Sequence, residues 1–213
     1  GRWQTDPPSK SATQSGAHPH VFVDGGIDFI LRDGTVLETL EITWRYDSFE
    51  TLYILASHGL SLNAEGTLDE AARQELTRLR STWPEDFDGS AHVSIDGRVA
   101  DLEWPRDLDL DIINGRLEMT FLRDLSTPTN IAARDVEVAF YESTYFFAFS
   151  ITDDPQFKGG AATCDWSHIP FVPGANGSAL QATLAKLSRE ETPQMENVGA
   201  LFADKVRFQC GSL

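Results

Sequence analysis

The chain has 213 residues, of which 41% are hydrophobic and 23% charged, a balance that suits a globular protein and argues against disorder. Its formal net charge is -16, from 33 carboxylates against 17 lysines and arginines, which excludes a basic nucleic-acid footprint and favours cations near the surface. No apolar run approaches the roughly 20 residues of a membrane-spanning helix, so no membrane span is expected.

Residues 1–16 are polar and rich in Ser, Thr, Gln, Gly and Pro, and read as a linker or expression remnant. If they stand where a signal peptide was removed, the mature protein begins close to His18. Next comes His18-Pro19-His20-Val21-Phe22-Val23-Asp24, which holds two of the five histidines. Side chains alternate along a strand, so a regular strand would put His18, His20, Phe22 and Asp24 on one face. Two imidazoles with a carboxylate are a plausible start for a divalent-metal site. Asp24 lies too far along such a strand to share an ion with His18, and beside Gly25 it equally suits a turn.

Arg32-Asp33-Gly34-Thr35 predicts a hairpin turn, and Val36–Tyr46 a second strand. Ser48–Ser57 has helical spacing. Asp47 is either a further metal ligand, the first choice for one, or an acid stabilising that helix's N-terminus. Thr67–Trp83 predicts the clearest helix, with Thr67 and Glu70 as a capping box and Pro84 as a stop. Between the two, Ser61–Gly66 resembles a calcium loop, but Ser61 stands first and Ala72 stands where the bidentate Glu belongs, so it reads as a connecting loop.

From Ala91 the pattern is serial β. Ile95-Asp96-Gly97-Arg98 and Asn114-Gly115 are hairpin turns. Val136–Tyr141 and Tyr145–Ile151 read as an aromatic pair of strands joined by a tight turn, with Tyr141, Tyr145, Phe146, Phe147 and Phe149 as core. Ser178–Leu187 and Met195–Ala203 read as a second pair of helices, and Lys205–Cys210 as a closing strand. The expected class is α+β, mainly antiparallel sheet with two helical pairs. It forms one large domain or two parts, 17–124 with the metal site and 125–213 with the cysteines.

Cys164 and Cys210 belong to no metal-ligand cluster, and the even count allows one disulfide. Closing their 46-residue separation would contribute about 4 kcal/mol in the chain-entropy model. It would also imply an oxidising compartment. Of the other histidines, His58 suits a helix C-terminus, His92 an ordinary strand position, and His168 a distant ligand. No HExxH, GxSxG or conspicuous acid pair points to hydrolysis, so no enzyme is expected.

The order of these stretches resembles the ZevA-type family of bacterial periplasmic zinc-acquisition proteins. The likeness runs over residues 17 to 210 and rests on the His18-Pro19-His20 start, Trp44-Arg45-Tyr46-Asp47, the loop with Asn63 and Gly66, Tyr141–Phe149, and the two cysteines. It implies a periplasmic protein that binds zinc, with nickel or copper as alternatives, and passes it to a membrane permease of the nickel/cobalt/zinc type. It places the motif histidines on His18 and His20, the following acid on Asp24, and a Trp-x-aromatic-Asp segment on Trp44, Tyr46 and Asp47. The chain departs from metal-storage proteins in lacking a histidine-rich tract. Two other readings stand beside this one. A copper-binding metalloenzyme could use an N-terminal His18 with His20, and a docking module could engage the permease without metal.

Overall fold

A computed structural model describes residues 18–160, 163–188 and 190–211; residues 1–16, read as a linker, lie outside it. Strand β1 (Val21–Arg32) pairs antiparallel with β2 (Val36–Tyr46), and β2 with β6 (Arg116–Asn130), which pairs with β5 (Arg106–Ile113). The other edge of β1 takes β8 (Phe147–Ile151) and the short β9 (Phe157–Lys158), both parallel to it. This sheet has the order β5-β6-β2-β1-β8, with β9 also on β1.

The second sheet is antiparallel. It is built from β3 (Ala91–Ile95), β4 (Arg98–Ala100), β7 (Val136–Phe140), β10 (Cys164–Ile169) and β11 (Asp204–Cys210), in the order β10-β11-β7-β3-β4. The two sheets share one core. Phe29 of β1 meets Phe208 of β11 with ring centroids 4.4 Å apart, and Phe140 of β7 meets Phe149 of β8 at 4.5 Å. Phe29, Leu40, Ile42, Phe121, Val138 and Phe140 are completely shielded. Position 124, where the sequence divided the chain, lies inside β6.

Three hairpins form where the turn residues demand them. Asp96-Gly97 and Asn114-Gly115 are two-residue loops with positive φ at both positions, the type I′ geometry whose twist matches that of paired strands, and Asp33-Gly34, also at positive φ, opens a three-residue connection closed by Thr35.

The expected α+β class with two helical pairs is not what the chain adopts; the fold is mostly β. Helix α1 (Ser48–Ser57) lies against β6, and α2 (Glu70–Arg80) against β5, so each packs on strands rather than making a helical pair. The capping box does not form. Thr67 donates instead to the Asn63 side chain, which folds the 63–67 loop, and α2 starts after Asp69. Of the second pair, Ala175–Leu184 is helix α3, but Val198–Phe202 is a single 3-10 turn. The aromatic hairpin is also absent. β7 belongs to one sheet and β8 to the other, and residues 141–146 carry the chain between them.

Candidate functional site

That crossing segment positions the site. Glu142 organises it: one carboxylate oxygen accepts from the Thr144 backbone N–H (2.8 Å) and hydroxyl (2.7 Å), the other from the Phe146 N–H (2.9 Å). Tyr145, at φ 59°, turns the chain and buries its ring against Phe202, centroids 4.3 Å apart. Ser143 is held on both sides, its N–H donating to Asp88 (2.9 Å) and its carbonyl accepting from Gly199 (2.9 Å). A Cβ on Gly199 would sit 1.8 Å from the Glu142 carbonyl oxygen, so only glycine permits this approach.

The segment before β1 docks onto this scaffold. The His18 N–H donates to the Leu184 carbonyl (3.1 Å), and the His20 and Val21 N–H groups share the Phe146 carbonyl (2.9 and 3.1 Å). The imidazoles of His18 and His20 consequently meet edge to face, centroids 4.7 Å apart, and both contact the Phe146 ring. His18 is only 3% exposed, and its Nδ1 has no hydrogen-bond partner among the described residues. Such a buried nitrogen is rare, because leaving a polar atom unsatisfied away from water is costly.

Burial holds the His18 imidazole below its ordinary pKa, against the opposing pull of Glu142 and Glu191. The neutral ring is the form that ligates metals. His18 lines a cavity of about 330 Å³ whose other walls include Asp86, Asp88, Glu142, Glu190 and Glu191. The Glu191 carboxylate accepts the Ser188 backbone N–H at 2.5 Å, which keeps it ionised to lower pH.

The structure brings the two histidines together by a route other than strand alternation. β1 begins at Val21, so the period of two does not reach them. Phe22 is 54% exposed, whereas His18 is buried. Asp24 is paired with Arg116 at 3.0 Å. Asp47 caps α1, accepting the Glu50 N–H at 2.7 Å. Among the described residues no three His, Cys, Asp or Glu side chains are grouped closely enough to hold an ion, so neither aspartate joins the pair.

His58 is the C-cap of α1. His168 lies 3.7 Å from Asp204. His92 stacks on Tyr141 at 3.7 Å, and its Nε2 lies 3.1 Å from the Tyr141 carbonyl. Cys164 and Cys210 form the disulfide that their even count allowed, joining directly paired positions of β10 and β11. Such bonds persist in oxidising compartments. None of the helices among the described residues is long and apolar enough to cross a membrane.

Sequence reasoning missed the acids that face His18. Asp86 and Asp88 follow the α2 stop at Pro84, and Glu190 and Glu191 follow α3. Their only local signal is acid beside aromatic in Trp83-Pro84-Glu85-Asp86-Phe87-Asp88, and nothing in that spacing points to residues so distant in the chain. No curated protein matches this chain. A family model described as "Protein of unknown function (DUF1007)" matches residues 10–210, nearly the whole length, and the chain belongs to that family.

Proposed function

We propose that this protein binds a divalent metal ion, zinc first, through His18 and His20, in an oxidising compartment that we read as the periplasm. The bound ion is cargo rather than a resident cofactor, and is passed to a membrane permease of the nickel/cobalt/zinc type. The observation that carries the reading is His18, whose buried Nδ1 has no partner among the described residues, on the wall of a carboxylate-lined cavity with the His20 imidazole in contact behind it. Zinc takes neutral imidazole nitrogens and carboxylate oxygens, commonly four in all. The pair would supply two, and a carboxylate of the cavity wall such as Glu191 would supply further oxygen by moving toward them.

Several facts support the wider role. A net charge of -16 concentrates cations. The disulfide suits a periplasmic setting. The permease comes from the ZevA-type resemblance, which also names zinc; nitrogen and oxygen ligands alone discriminate poorly among zinc, nickel and copper.

Calorimetric titration of metal-free protein with zinc tests the reading. One site is expected, weakened at least about tenfold by either His18→Ala or His20→Ala, since each removes a direct ligand. Affinity no better than about millimolar, or unchanged in the double variant, rejects it.

A further inference from the structure

A second cavity, of about 290 Å³, adjoins the first and differs from it in character. Its walls are aromatic: Trp44, Trp83, Phe87 and Phe147. The rings hold one another in place, Trp83 lying 4.5 Å from Phe87 and 5.8 Å from Trp44, with Trp44 5.8 Å from Phe147. The Trp44 indole N–H is already satisfied by the Ser90 hydroxyl at 3.0 Å, so it offers the cavity only its ring. A preformed apolar hollow with few polar groups is the usual character of a small-molecule site.

Two charged side chains reach this cavity, and they are not equivalent. Glu142 is committed, both of its oxygens accepting from the crossing segment. Arg80, at the end of α2, is half-buried. Its guanidinium makes one hydrogen bond among the described residues, from Nη2 to the Tyr46 hydroxyl at 2.7 Å, and no ion pair. Arg45, Arg73, Arg78, Arg106, Arg116, Arg134 and Arg207 all pair with carboxylates. Arg98 and Arg123 also make no ion pair among the described residues, but neither lines this cavity; Arg80 does, with its guanidinium 5.7 Å from the Tyr46 ring centroid and hydrogen-bond donors left over.

We propose that this cavity binds a small monocarboxylate with an aromatic or branched apolar body. The body lies among the rings and the carboxylate meets Arg80. The strongly negative surface opposes polyanions, which selects a single charge. The site stands independently of the histidine pair, although Glu142, Phe87 and Phe147 line both cavities.

The experiment compares three ligands of one shape against the whole chain: 3-phenylpropionate, 3-phenylpropan-1-ol and 3-phenylpropylamine. Calorimetry and tryptophan emission from Trp44 and Trp83 read binding. The acid is expected to bind saturably, roughly tenfold or more tighter than the alcohol, with the amine weakest. Arg80→Gln, with its fold checked by circular dichroism, is expected to bring the acid down to the alcohol. Equal binding of all three, tightest binding of the amine, or no saturation below about 10 mM overturns the proposal. The ligand series decides it even if the variant fails to fold.

Discussion

The hairpin body and the crossing end of this molecule are held by different means. In the body, β1, β2, β5 and β6 follow from alternation and from Asp-Gly and Asn-Gly turns, and completely shielded residues such as Phe121 fill the space between sheets. At the crossing end, the residues before β1, α3, the 198–202 turn and the crossing segment meet through single backbone hydrogen bonds outside any ladder, and the Glu142 carboxylate holds the crossing segment itself. The body is built by local rules of alternation and turn chemistry. The crossing end gathers polar groups from distant parts of the chain, and there an imidazole is left buried with an unspent nitrogen. Functional groups concentrate where regular pairing stops.

Substitutions can separate the two regions. The largest effect belongs to the body. Phe121→Ala empties a fully buried site between Trp44 and Trp83 and should cost about 3–5 kcal/mol in denaturant unfolding. Glu142→Ala should cost less, about 1–3 kcal/mol, by leaving the Thr144 and Phe146 amides without their acceptor. Its signature is local: amide exchange should rise at 142–146 while β1 and β2 stay protected, and zinc affinity should fall with it. Asp47→Ala should cost about 1 kcal/mol as a lost helix cap, with zinc affinity unchanged.

The smallest effect is a pH dependence from His92, whose pKa burial lowers against the opposing Tyr141 carbonyl and Asp88. An unfolded histidine takes up a proton near pH 6.5, whereas the folded one resists it. Stability from this residue is therefore complete above about 6.5 and falls as pH drops toward the lower folded value. Thermal melts of the protein and of His92→Gln should converge between pH 7 and 5.

The local rules explain what was legible in the sequence. Asp33-Gly34, Asp96-Gly97 and Asn114-Gly115 announce their turns because positive φ restricts the residues that fit. Ser48–Ser57 is a helix with the predicted limits. The failures share a cause. Val136–Ile151 has the composition of a hairpin, but the Glu142 cap sends the chain across to the other sheet, and no pattern within the segment records that β1 waits there. Met195–Ala203 has helical spacing but is reduced to one turn, pinned by the approach of Gly199 to the Glu142 carbonyl. His18 and His20 were legible as a pair. Their neighbours were not, since Asp86, Asp88, Glu190 and Glu191 reach the cavity only through tertiary packing.

The most direct measurement is X-ray absorption at the zinc edge of the stoichiometrically loaded protein. The account predicts two imidazole nitrogens with carboxylate oxygens completing the shell, and loss of the imidazole scattering in the His18→Ala, His20→Ala double variant. A shell with no imidazole, or one whose imidazole scattering survives that double substitution, would contradict it.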